Sequence, residues 1–362
     1  INNVPVGTFD VKISLLGYRP VTITGLVVTA DNSARADAVL AESAIEMKEV
    51  VVQAGRPVVE VNFTSSLAGV TREGIGKLPV QELQDVVNLQ AGVIDGHFRG
   101  GRIGEVQYQV DGVTVNNVYD NQSSLRLDRS LLQEVQVISG TFDAEYGQAM
   151  SGVVNAVLRR GSDRFEWNAE AFLGGFAYGD DRIVPSSFDP TGIQNYQFSL
   201  SGPTPIAKTT YLFNARRGIA HDYIEGTRRF VPTDSSNFET KQFRPTGDGG
   251  QVPLGSASEF SGLVKVSTRA ISNVELGYQA VVNTVKGRRS TWAYRLNPDG
   301  LSTQQTQSLV HGFDWTHTLS RSTFYTLALR QNISDYQDMA YDDLFDTRYD
   351  AAGPPIGDAT YE

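Results

Sequence analysis

There is no cysteine in this 362-residue chain, which excludes a disulfide framework and any thiolate metal site. There is no apolar run of about 18 residues either, so no transmembrane helix is expected. Basic residues are in deficit. The 31 Lys and Arg against 41 Asp and Glu leave a net charge of −10, the wrong sign for nucleic acid as a partner. Histidines are few: His97, His221, His311 and His317. The last two stand six apart on one strand and share a face, but no carboxylate or cysteine pattern accompanies them, and packing is the simpler role. Gly100-Gly101 does not make a phosphate loop, because the helix and Lys-Ser/Thr that should come after it are missing. No catalytic constellation is found, so the chain is expected to be no enzyme and to hold no cofactor or metal. A charged n-region, an apolar h-region and a cleavage site are absent, and residue 1 falls within an alternating segment. The native chain is therefore expected to start earlier.

What the chain has is alternation. Near the N-terminus Phe9, Val11, Ile13 and Leu15 fall on one face, with Val21 and Ile23 beyond a turn at Gly17-Tyr18-Arg19-Pro20, a strand pair by pattern. Beyond Asp163 the texture repeats. Phe165, Trp167, Ala169, Ala171 and Leu173 oppose Glu166, Asn168 and Glu170. Six more strands are read around 196–200, 211–213, 260–266, 274–282, 311–315 and 325–329. Short turns near 203–208, 269–273 and 319–322 alternate with long polar loops over 177–193, 218–256 and 287–306. Short turns on one side and long loops on the other mark an outer-membrane barrel. A soluble sandwich also alternates, but its loops need not divide in this way. The 35 glycines and the 17 Phe, 15 Tyr and 3 Trp suit turns and interfacial aromatic girdles.

The middle of the chain reads differently. KLPVQELQDVVNLQAG (77–92) carries an apolar stripe at Val80, Leu83 and Val87, with Pro79 suited to a first helical turn and Gly92 placed to end the helix. Asp111-Gly112, flanked by Tyr108, Val110, Val113 and Val115, is a hairpin signal, since both turn residues need positive φ. Asp128 can cap a short helical turn, and 134–138 alternates as a strand. Gly140, Gly147 and Gly152 punctuate the stretch from 139 to 152, and 153–158 is an apolar run of buried-strand type. On the residues alone this is also compatible with an ordinary α/β core.

The ordered pair FRGGRIGEVQYQVDGVTVNN and LLQEVQVISGTFDAEYGQAMSGVVNAVLRRG (98–161) resembles the plug domain of TonB-dependent outer-membrane transporters. The resemblance is carried by Arg99, Gly100, Gly101, Asp111, Gly112, Glu145, Tyr146, Gly147, Gly152 and Asn155. Ala91-Gly92-Val93 resembles the family's segment after the first plug helix, with Ala91 where a proline is usual. Upstream, Glu49, Val50, Val51, Val52, Gln53 and Ala54 resemble the TonB box. By composition alone they read first as one more strand of the first domain, their position at the plug entrance favours the box, and the two readings are compatible. Residues 1–48 look like the last part of a carboxypeptidase-regulatory-like β-sandwich.

The resemblance implies a mainly β chain: a partial sandwich (1–48), a candidate TonB box (49–54), an α/β plug (55–161) and the first strands of an antiparallel transmembrane barrel (162–362). That barrel is 22-stranded in the family and incomplete here. It implies energy-coupled uptake of a scarce substrate across the outer membrane of a Gram-negative-type bacterium, with the plug and N-terminal domain on the periplasmic side. The implied partners are TonB with its inner-membrane energising complex, an unidentified small or oligomeric substrate, and outer-membrane lipid. Arg99 is expected to meet barrel-wall glutamates, with Glu166 and Glu170 as candidates, while Phe165 and Trp167 face lipid. The alternatives are a signalling receptor of the same family and a surface adhesin without a pore.

Overall fold

The computed structural model describes residues 4, 6–16, 18–29, 33–42, 50–53, 66–117, 121–123, 125–140, 146–176, 190–234, 236–237, 239–320, 323–341, 343 and 345–347, with backbone alone at 50–53, 66–68 and 236. The chain divides into two units: Ile1–Arg159 with Trp315–Leu327, and Arg160–Asp314 with Ala328–Glu362.

The N-terminal sheet has three strands in the order β1 (Gly7–Ile13), β2 (Val21–Val28), β3 (Val50–Gln53). β1 and β2 are antiparallel, and an irregularity between Phe9 and Val11 shifts their register. The extra residue stands on β2, at Thr24-Gly25, so Phe9, Val11 and Ile13 keep their alternation on β1; Leu15 lies beyond the strand, 58% exposed. A bulge of this kind inserts a residue and re-aims those on either side. β3 joins the far side of β2 in parallel, pairing Val21 with Val50, Thr22 with Val51, Ile23 with Val52 and Thr24 with Gln53.

The second sheet runs β4 (Ser66–Thr71), β9 (Leu132–Ser139), β10 (Gly152–Leu158), β7 (Val106–Val110), β8 (Val113–Thr114). β10 is antiparallel to β9 and parallel to β7. Both neighbours cover its edges, and Val153, Val154 and Ala156 have no exposed surface, as the unbroken apolar run anticipates. Two short helices pack on this sheet, α1 (Arg72–Lys77) and α2 (Leu83–Asn88). A small hairpin, β5 (Val93–Ile94) and β6 (His97–Phe98), comes after α2. The start of α2 differs from the expectation. Pro79 precedes it, and Glu82 and Asp85 form a capping box that satisfies the first N–H groups, so the cap rather than the proline sets the helix start. Helix α1 was not legible in the pattern, because Gly74 and Gly76 are poor helix formers.

The third sheet is an antiparallel meander with seven strands: β11 (Glu166–Gly174), β12 (Ile193–Pro203), β13 (Thr209–His221), β18 (Ser256–Thr268), β19 (Val274–Arg288), β20 (Thr303–Thr318) and β21 (Phe324–Met339). All seven strands stand where the alternation expects them. Two small hairpins fill the connection between β13 and β18. One pairs β14 (Glu225–Thr227) with β17 (Gln251–Pro253), the other β15 (Ser236–Asn237) with β16 (Gln242–Phe243). One sheet face is apolar: cross-strand rows such as Trp167–Leu200–Phe213–Val264–Ala280 run across it. The other carries Gln197, Ser199, Asn214, Lys265, Gln279 and Asn283, all buried. β20 and β21 have 16 residues each, longer than the roughly 9–11 needed to cross a bilayer.

Candidate functional site: the plug turn, the segment before it and the long loops

The sequence-derived motif residues gather at two places on the plug sheet, one at either end of β10. Asp111 and Gly112 take φ of 49° and 77°, a turn geometry that glycine reaches without strain. The turn is held from a strand some forty residues on. Asp111 Oδ1 accepts the Leu158 N–H at 2.9 Å, the Asp111 N–H donates to the Ala156 carbonyl at 3.0 Å, and Asn155 Oδ1 accepts the Gly112 N–H at 3.1 Å. Asn155 is 4% exposed and its Nδ2 donates to Gln136 Oε1 at 3.4 Å. The Asp-Gly pair and the motif asparagine are thus two halves of one clamp.

The glycine-rich element lies apart from this clamp. Arg99 adopts a left-handed φ of 47° and donates its N–H to the Gly92 carbonyl at 2.8 Å and its Nε–H to Ser139 Oγ at 3.1 Å. Gly101 packs against Ser151, and Gly152 lies under the Phe98 ring, where a Cβ would come within 2.5 Å of a ring carbon. Close packing, not torsional freedom, requires glycine at 152. Glu105 ties the two motif stretches together: its carbonyl accepts the N–H groups of Met150 and Ser151, and its carboxylate accepts that of Arg102. No sequence signal singled out Glu105. Tyr146 and Gly147 stand just before this contact, and Glu145 lies outside the described residues.

Asn155→Ala should leave the Gly112 N–H without its acceptor, at a cost of about 1–3 kcal/mol. Faster amide exchange at Gly112 and Val113, restored by Asn155→Asp, is the expected result. Unchanged protection in the alanine variant would show that the clamp holds nothing.

Of the candidate box residues, 50–53 form β3, an edge strand by sheet order; Glu49 and Ala54 lie outside the described residues. In the meander Phe165 and Trp167 are each 66% exposed, and Glu166 alternates with them, its carboxylate accepting from the Ser162 hydroxyl at 3.0 Å. Glu170 occupies the same face of β11 as Glu166 by strand parity. His311 and His317 are on strand β20 as expected, the first against Gln331 at 3.0 Å and the second against the Tyr325 hydroxyl at 3.2 Å. Among the described residues no cluster of metal-ligating side chains occurs.

The long loops have an ordered core of their own. Phe230, Leu254 and Leu301 are buried. Arg228 bridges Asp299 at 2.6 Å and Asp248 at 3.0 Å, and Asp299 then Asp248 raise its already high pKa further. Burial works against ionisation of Asp234, but the Thr246 hydroxyl and N–H and the Val231 N–H outweigh it and hold the carboxyl below its ordinary value. Such caps give a loop a defined surface. Tyr223, Trp292 and Phe243 stay exposed on it, and the Arg295 guanidinium lies over the Trp292 ring at 5.3 Å.

Residues 60–154 match the family model described as TonB-dependent Receptor Plug Domain. Among curated proteins the chain is similar to the TonB-dependent transporter Oar of Myxococcus xanthus, 23% identical over 180 residues, which are 46% of this chain and 17% of that protein. Among solved structures it is similar to the ferripyoverdine receptor of the outer membrane of Pseudomonas aeruginosa, with a TM-score of 0.54 at 12% identity, covering 76% of this chain and 34% of that one. It is likewise similar to the ferric yersiniabactin uptake receptor FyuA from Yersinia pestis, with a TM-score of 0.55 at 14% identity, covering 76% and 41%. The chain therefore spans about a sixth of the curated relative's length and a third to two-fifths of the two receptors. At these identities the structural likeness is one of fold. Residues 60–154 thus match the plug domain of TonB-dependent receptors, and the chain shares the fold of the plug and first barrel strands of such outer-membrane receptors.

Proposed function

We propose that the chain serves in energy-coupled uptake across an outer membrane, with the plug gating the lumen of a barrel to which the meander contributes seven strands. The observation that carries this reading is the succession itself. A plug-domain match over 60–154 leads directly into strands of up to 16 residues, one face apolar and the other polar. That is the pattern of a wall between lipid and an aqueous lumen. Residues 49–54 act as the TonB box on the periplasmic side, where TonB adds a strand and pulls. Arg99 pairs with wall carboxylates, Glu166 and Glu170 among them, because its planar fork suits bidentate contact. The long loops around Arg228 and Trp292 face outward and receive the substrate. Ferric siderophores are the first class to assay, since the solved relatives are receptors for ferripyoverdine and ferric yersiniabactin. No bond of the substrate is made or broken.

The test separates binding from transport. Cells producing the complete protein are expected to bind labelled substrate at the surface with or without a proton gradient, and to accumulate it only with one. Accumulation that survives collapse of the gradient would refute energy coupling.

A further inference from the structure

Two adjacent arginines mark where the chain passes from the plug sheet to the meander. Arg159, 9% exposed, is held on the plug side: its N–H donates to the Leu131 carbonyl at 2.8 Å and its Nη1 to the Ser130 carbonyl at 3.2 Å. Arg160 is held by the meander. Its Nη1 donates to Glu275 Oε1, at the start of β19, while Glu275 Oε2 accepts from Nε and Nη2 of Arg269 at 3.1 and 2.9 Å. The division of the chain into two units falls between the same two residues. The hand-over therefore takes a single peptide bond.

The residues after Arg160 are held as closely. Gly161 rests on the backbone of β13, where a Cβ would come within 2.6 Å of the Tyr211 carbonyl oxygen and 2.7 Å of its nitrogen. Close approach of two backbones is what requires glycine there. Ser162 Oγ accepts the Arg164 N–H at 3.2 Å and donates to Glu166 at 3.0 Å. Phe165 lies against Gly202 of β12, whose Cβ would stand 3.4 Å from the Phe165 Cα. Residues 160–165 thus touch β19, β13 and β12 at their short-turn ends before β11 begins. Those ends are themselves braced. The Arg269 N–H donates to the Lys208 carbonyl at 2.9 Å, tying the turn after β18 to the turn after β12, and the Thr209 and Thr268 hydroxyls share a hydrogen bond at 2.7 Å. The Glu275 side chain is 18% exposed, and a carboxylate shared by two arginines holds better than an isolated surface pair.

We propose that Arg160, Gly161 and Glu275 are positioning residues for transport: they fasten the end of β10 to the meander, so that a pull from the N-terminal side displaces only part of the plug. The inference rests on the reading of the chain as an energy-coupled transporter. Length decides the matter. Released from these holds, residues 160–165 would extend to about 20 Å, slack enough for the plug to shift as one body. With the holds intact, Arg160 and Gly161 must leave their partners before β10 can follow the pull.

The experiment uses the complete protein in cells with and without TonB and reads sensitivity to vancomycin, a probe too large for a closed plug to pass. A Gly-Ser-Gly-Ser insertion between Arg159 and Arg160 should lower the inhibitory concentration roughly tenfold in cells with TonB and leave it unchanged in cells without. Arg160→Gln with Gly161→Val, which frees the same run at constant length, should lower it several-fold under the same condition, and Arg160→Lys should match wild type. Folding is checked by heat-dependent gel mobility; if the insertion fails to fold, the substituted pair decides. Unchanged sensitivity in the folded variants overturns the proposal. So does sensitivity that rises equally without TonB, which would mean that the run only seats the plug. Formaldehyde cross-linking of wild type to TonB in the same cells separates the two readings. Cross-linking without a vancomycin effect refutes the anchor alone, whereas no cross-linking refutes energy coupling and the anchor with it.

Discussion

Val51→Pro is expected to abolish substrate accumulation in cells while leaving surface binding and delivery to the outer membrane intact. Proline removes a backbone donor and locks φ, so a segment that works by strand addition loses its function, whereas Val51→Ile keeps the strand and should change little. The structure sharpens this test. β3 already pairs in parallel with β2 at one edge, and it ends the sheet, so its other edge is where a partner strand would add. Import at the normal rate in the Val51→Pro variant would show that the segment only links domains. Loss of binding or of membrane delivery would show that it is structural.

Val264→Arg should destabilise the barrel by about 2–4 kcal/mol, the cost of a cation at mid-membrane on a lipid-facing strand position. Val264 is 42% exposed and sits between Phe213 and Ala280 in the cross-strand register, well away from either turn. Lys265→Arg, on the opposite face where a cation already stands, is the control. Folded fraction read from heat-dependent gel mobility should fall sharply for the first and little for the second. Equal losses would mean that the two faces do not differ in solvent, and the lipid assignment would fall with them.

The meander was legible because a half-buried strand writes its orientation into every second residue, and rows such as Phe213–Val264 survive as simple alternation. The plug clamp was half legible. Asp111-Gly112 declares a turn locally, but nothing near Asn155 announces that its amide closes that turn from another strand. The start of α2 was misplaced because Pro79 is a conspicuous signal and the Glu82–Asp85 exchange a quiet one. The parallel seat of β3 on β2 joins residues about thirty apart, a pairing no local pattern encodes.

The seat of β4 has a mechanical consequence. Among the described residues it is the first plug strand after the proposed box, it lies at the edge of its sheet, and its six residues pair with β9 alone. Under the proposed coupling, a pull entering through residues 50–53 would load β4 before any other plug strand. Its hold on the sheet is this single ladder, against two for each of β9, β10 and β7. Force directed across the strand would open these pairs one after another from Ser66, whereas force along it would have to shear all of them at once. The angle at which the tether leaves the plug thus sets the load at which β4 yields, and the clamp at Asn155, on an inner strand, would still be closed when it does.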